Sequence, residues 1–123
     1  MTKHILIIED DMQNYQLVAN LVKLEGYEPQ HARTCEQGSQ LLEENQPCLI
    51  LLDMRLPGGM DGWQFAAILK NSSDFSHLPI IAVSVLVDPS DLTRALSAGC
   101  NHYIAKPFNI KDLRDAIRSY AIC

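Results

Sequence analysis

The chain has 123 residues, a net charge of -5, 47% hydrophobic residues and 20% charged ones. That length is enough for one domain with a continuous core and leaves no room for a second, while the acidic balance and the absence of a basic stripe argue against nucleic acid as a direct partner. No apolar stretch approaches the roughly 20 residues of a membrane-spanning helix, and no signal-peptide pattern opens the chain, so a cytoplasmic protein is expected.

Short apolar runs alternate with helical patterns, the signature of βαβ units and a parallel sheet. A first strand is expected near residues 3–9, on the run Ile5-Leu6-Ile7-Ile8, and it leads into Glu9, Asp10 and Asp11. Leu17, Val18, Leu21, Val22 and Leu24 then form one helical stripe, which Gly26 stops as a left-handed cap. The second strand, near residues 28–33, is polar and carries Pro29, which places it on a sheet edge. A second helix from Gln37 to Glu44 stops before Pro47. The third strand, near residues 48–53, is the run Cys48-Leu49-Ile50-Leu51-Leu52 and ends in Asp53. A third helix packs Phe65, Ile68 and Leu69, and Pro79 opens a fourth strand near residues 79–84 that ends in Ser84. Leu92, Ala95 and Leu96 mark a fourth helix stopped by Gly99; the fifth strand, near residues 101–106, ends in Lys106. The last helix has Asn109 as its N-cap, with Ile110, Leu113, Ile117 and Tyr120 on one face.

The first, third and fourth strands are continuously apolar, as in strands covered by helices on both faces, so they belong at the centre. With right-handed crossovers the strand order 2-1-3-4-5 follows, and ligands in such sheets bind beyond the carboxyl ends where the winding reverses. That point lies between the strands ending in Glu9-Asp10 and in Asp53. Carboxylates gathered there repel one another, which favours a hard divalent cation. Ser84 and Lys106 bring a hydroxyl and an ammonium to the same edge, and this set suits a phosphoryl group. Asp11 reads as an acid favoured by the start of the first helix. Cys35, Cys48, Cys100 and Cys123 show no C-x-x-C pairing, so reduced thiols are expected, with Cys48 in the core; His4, His31, His77 and His102 have no ligand spacing.

Together, Ile7-Ile8-Glu9-Asp10-Asp11, Leu51-Leu52-Asp53-Met54-Arg55-Leu56-Pro57, Asp61-Gly62, Ser84 and Tyr103-Ile104-Ala105-Lys106-Pro107-Phe108 resemble a receiver domain of two-component response regulators, over essentially residues 1–123. The resemblance implies a flavodoxin-like doubly wound (βα)5 fold. It makes Asp53 the acceptor of a phosphoryl group from a partner histidine kinase, a histidine phosphotransfer protein or a small acyl phosphate. Glu9, Asp10, Asp53 and the Arg55 backbone carbonyl would bind Mg2+. Lys106 would reach the acceptor and the phosphoryl oxygens across a cis bond to Pro107, while Ser84 and Tyr103 would act as the switch pair. The output would be altered binding of a downstream protein at the face of the fourth helix, fifth strand and fifth helix, with a phosphorylation-dependent homodimer among the assemblies it allows. Catalysis would extend only to the protein's own phosphorylation and dephosphorylation.

Some residues depart from the pattern. Val85 follows Ser84 where the family usually carries a smaller side chain, the loop Pro57–Gly62 is one residue longer, and Arg55 and Leu86 occupy positions that tune hydrolysis of the phosphoaspartate. Val85 is the sequence support for an alternative, a degenerate receiver that binds its partner constitutively; the intact Glu9, Asp10, Asp53 and Lys106 weigh against it. Another alternative, a small aspartate-nucleophile phosphohydrolase resembling haloacid dehalogenases, requires a second acid where this chain has Arg55.

Overall fold

The structure is a computed structural model that describes residues 3–123; Met1 and Thr2 of the expected domain lie outside the described residues. Ten elements alternate along the chain: β1 (His4–Ile8), α1 (Met12–Leu24), β2 (Glu28–Ala32), α2 (Cys35–Glu44), β3 (Ile50–Leu52), α3 (Gly62–Lys70), β4 (Ile80–Val85), α4 (Ser90–Ala98), β5 (His102–Lys106) and α5 (Ile110–Tyr120). The strands are all parallel, in the order β2-β1-β3-β4-β5, with Ile7 beside Leu51 and Leu51 beside Ile81. The proline-bearing β2 takes an edge, as its missing backbone donor requires.

Because successive strand side chains point to opposite faces, the sheet divides one core into two layers. Leu6, Ile8, Ile50, Leu52, Ile80 and Ala82 pack with Leu42, Phe65, Ala66 and Leu69 on the side of α2 and α3. Ile5, Ile7, Leu49, Leu51, Ile81 and Val83 pack with Val18, Leu21, Val22, Leu113 and Ile117 on the side of α1 and α5. Both faces of the three central strands are therefore dry, and polar side chains can collect only at the strand ends.

Several helix faces differ from the expectation. Leu17 and Leu24 of α1, Ile68 of α3, Leu92 and Leu96 of α4 and Ile110 of α5 are exposed, whereas Ala19 is buried. An apolar stripe is broader than the arc that meets the sheet, and its flanks stay in solvent. Helix α2 starts two residues before the expected Gln37, at Cys35, because the Thr34 hydroxyl caps it by accepting from the Gln37 N–H at 3.1 Å. Gly26 takes φ +89° just beyond α1, and Gly99 takes φ +115° as the cap of α4. At the other end of α1, the Asp11 side chain accepts from the Gln13 and Asn14 N–H groups.

The expectation of reduced thiols is corrected for one pair. Cys48 and Cys123 form a disulfide with their Cα atoms 5.2 Å apart, while Cys35 and Cys100 remain free and buried. After α5 the chain returns to the start of β3, where the Ile122 N–H donates to the Cys48 carbonyl at 3.1 Å and brings the two sulfurs together. Local spacing does not reveal a pair 75 residues apart. A loop of that length limits the gain from loop closure to about 4 kcal/mol. Cys123→Ser is expected to lower Tm under oxidising conditions and to match the wild type under dithiothreitol, as scanning calorimetry in the two buffers would show.

A second tie fixes α5 to α1. The Glu25 carboxylate is largely buried and accepts from Arg114 Nε and Arg118 Nε, each at 2.6 Å. The hydrogen bond from Arg118, with support from Arg114, outweighs burial and holds this carboxyl below its ordinary value of 4.5. The stabilisation is complete above that value and is lost as pH falls from there through the lower folded pKa. The Tm advantage of the wild type over Glu25→Gln is therefore expected to be constant near neutrality and to shrink as melts are taken at pH values below about 4.5.

Candidate phosphoryl and metal site

The site lies at the carboxyl end of the sheet, where β1 and β3 part. The ladder runs one residue past each strand: the Glu9 N–H donates to the Ala32 carbonyl at 2.9 Å and the Asp53 N–H to the Ile8 carbonyl at 3.1 Å. Those bonds set Glu9 and Asp53 side by side, both buried, with Asp10 exposed at the rim. Carboxylate oxygens of Glu9, Asp10 and Asp53 lie within 4.8 Å of one another. Unit charges at that distance repel by about 3 kcal/mol at an effective dielectric of ~20.

Lys106, carried in by β5, answers part of this charge. Its Nζ donates to Glu9 Oε1 at 2.5 Å and to Asp53 Oδ2 at 3.1 Å, and its bond to Pro107 is cis. The other Asp53 oxygen, Oδ1, accepts from the Ser84 hydroxyl at 2.7 Å and from the Arg55 N–H at 3.0 Å. Both acceptor oxygens are thus oriented by donors from three strand ends. Burial pushes the Glu9 carboxyl up from its ordinary value, with Lys106 opposing the rise. Burial pulls the Lys106 ammonium down, but the Glu9 hydrogen bond and the charges of Asp53 and Glu9 outweigh it and leave its pKa raised, so it stays cationic.

The donor set fits a hard dication. Three carboxylates and one ammonium leave two negative charges uncompensated, and among the described residues no protein donor reaches the Asp10 carboxylate. Exposed oxygen ligands beside buried ones suit magnesium, which keeps part of its water shell.

Tyr103 is half-buried, its hydroxyl donating to the Val85 carbonyl at 3.2 Å just beyond Ser84. Val85 stands at the rim, half-exposed, where it is free of the core. In the long loop, Gly58 adopts φ +98°, a conformation other residues rarely take.

Some supporting residues carry no signal in the sequence pattern. His31 Nε2 lies 2.8 Å from the Glu9 carbonyl, which can only accept, and the imidazole stacks on Tyr15 with centroids 3.7 Å apart, so His31 steadies the acidic turn. Asp91 is buried and pairs with Arg55 at 2.6 Å, while Trp63 lies beneath Arg55 and Arg94. An acid in the first turn of a helix was the only available signal for Asp91, and helix starts carry such acids routinely.

Comparison with known proteins identifies the family and the fold. The family model described as a response regulator receiver domain matches residues 5–118. The polar-differentiation response regulator DivK of Brucella ovis is 34% identical over 120 residues, spanning 98% of this chain and 97% of that protein. Among solved structures, the signal receiver domain of a signal transduction histidine kinase from Syntrophus aciditrophicus superposes with TM-score 0.89 at 28% identity, covering 97% and 89% of the two chains. A two-component response regulator from Clostridium difficile gives 0.87 at 26% identity, covering 97% and 95%.

Proposed function

The chain belongs to the response regulator receiver domain family, and on that premise we propose that it is a phosphoacceptor switch whose Asp53 takes a phosphoryl group from a histidine kinase or histidine phosphotransfer protein. The observation that carries this reading is the convergence of Ser84, Arg55 and Lys106 on the two oxygens of one buried carboxylate.

Asp53 attacks phosphorus, one P–O bond forms, and the bond to the donor's nitrogen or acyl oxygen breaks with its electrons leaving on the donor. Glu9, Asp10 and Asp53, with the Arg55 carbonyl, would hold Mg2+, which would supply charge neutralisation for the transferred oxygens. Lys106 already points at Asp53 Oδ2 and is placed to follow that oxygen's charge onto the phosphoryl group. Ser84 can turn its hydroxyl from Oδ1 to a phosphoryl oxygen. No second acid stands at Arg55 to hydrolyse the product quickly, so the protein acts only on its own phosphorylation state.

The signal leaves through β4 and β5. Tyr103 is tied to Val85, next to Ser84, so a shift of Ser84 reaches the tyrosine through one peptide. Tyr103 also lines a groove of about 780 Å³ with Phe108, Asp112, Ala116 and Tyr120, and the neighbouring α4 exposes Leu92 and Leu96. A downstream protein docking at this α4-β5-α5 face would sense the change. Among the described residues no helix is long and apolar enough to cross a membrane.

Acetyl phosphate with Mg2+ is expected to add a single phosphoryl group to the wild type and none to Asp53→Asn, read by intact mass. Equal labelling of the two proteins would remove Asp53 from the acceptor role.

A further inference from the structure

We propose that Asp91 is a positioning residue that latches Arg55 across the mouth of the site, holding its positive charge out of reach of an incoming phosphodonor; this rests on the phosphoacceptor reading of Asp53. Arg55 has two parts with different placements. Its N–H is bonded to Asp53, but its guanidinium reaches outward to Asp91 Oδ2 at 2.6 Å and makes no ion pair with Asp53. The underside of the guanidinium lies over the Trp63 ring, 5.0 Å from its centroid, and Arg94 lies over the same ring at 4.2 Å.

The same Asp91 oxygen accepts from the N–H groups of Val87 and Asp88 at 3.1 and 3.2 Å. It therefore joins the loop after β3 to the loop after β4, the two walls that flank Asp53. Tyr103 pins the other end of the second wall at Val85. A guanidinium so anchored neither draws an anionic donor to Asp53 nor blocks the metal ligands. Released, it could swing on its long stem toward the carboxylate cluster and contribute a diffuse attraction for the donor.

Asp91→Asn separates the two jobs of this side chain, because an amide oxygen can still accept from Val87 and Asp88 but carries no charge for Arg55. Acetyl phosphate is the probe, with the four proteins wild type, Asp91→Asn, Arg55→Gln and the double variant. The donor concentration for half-maximal phosphorylation rate is expected to fall about fivefold in Asp91→Asn and to stay within about 1.5-fold between Arg55→Gln and the double variant. An unchanged value in Asp91→Asn, or equal shifts in both backgrounds, would overturn the latch. A second readout needs no phosphate: acrylamide quenching of Trp63, the only tryptophan, is expected to rise about twofold in Asp91→Asn and in Arg55→Gln as the cation leaves the ring. Unaltered quenching in both overturns the latch even if Asp53 proves not to be the acceptor. Failure of the wild type to be phosphorylated, with quenching as expected, overturns the acceptor reading and with it the latch's effect on a phosphodonor, and leaves only the Asp91–Arg55 contact.

Discussion

Lys106→Ala is expected to slow phosphorylation of Asp53 by acetyl phosphate by about 10²- to 10³-fold, the range seen when one preorganised donor is removed from a developing oxyanion. Its ammonium is the only cation within an ion-pair distance of both Glu9 and Asp53 among the described residues, and it is already in place before any substrate arrives. No reorganisation is then required as charge moves to the transferred group. The same substitution leaves two buried carboxylates facing each other, so stability without metal should fall by about 1–3 kcal/mol. Added Mg2+ should restore much of that loss, because it binds the folded cluster in preference to the open chain. Lys106→Arg should rescue little, since a planar fork cannot sit between Glu9 and Asp53 as a compact ammonium does. Intact-mass time courses and melts with and without Mg2+ check both halves. A wild-type rate in Lys106→Ala would show that the ammonium does not serve the transfer.

Gly62→Ala is expected to destabilise the protein by about 3 kcal/mol and to damage the site from below. Gly62 opens α3, and its N–H donates to the Met54 carbonyl at 2.9 Å, so the helix start lies directly on the exit of β3. A Cβ there would meet the Asp53 carbonyl oxygen and lie 2.6 Å from Met54 Cα, both backbone atoms in the segment that carries the acceptor. The clash can be relieved only by moving α3 or Asp53. Gly38→Ala is the contrast: its new Cβ would meet Ile8 Cδ1 at 2.6 Å, the free end of a side chain that can turn. Urea melts should therefore separate the two alanines by well over 1 kcal/mol, although each adds one methyl group. Phosphorylation should fail only in Gly62→Ala. Equal stability of both variants would mean that the backbone at Asp53 yields more readily than its packing implies.

The apolar runs make the central strands legible from residue order alone, because a strand dry on both faces must be hydrophobic at every position. Pro29 puts β2 at an edge for an equally local reason, its missing N–H. The acids are legible because they directly follow such strands and Lys106 because it ends β5, and in a parallel sheet all those ends share one rim. Helix faces are less so. Leu92 and Leu96 have the spacing of a buried stripe yet stay exposed, since periodicity reports that a helix is amphipathic and not how much of its apolar arc another element covers.

What the sequence determined by itself is therefore the alternation of elements, the strand order and the rim at which Glu9, Asp10, Asp53, Ser84 and Lys106 would gather, all of which follow from local hydrogen-bonding capacity and the need to bury apolar surface. The tertiary structure alone decided which oxygen of Asp53 each donor takes, that Asp91 reaches across to Arg55 and that Cys123 returns to Cys48. The contacts of Ser84 and Lys106 with Asp53, of Asp91 with Arg55 and of Cys123 with Cys48 join residues 31 to 75 positions apart, and their partners are chosen by where whole elements come to rest. Such an outcome is set by the summed packing of the core, which no local pattern of residues records.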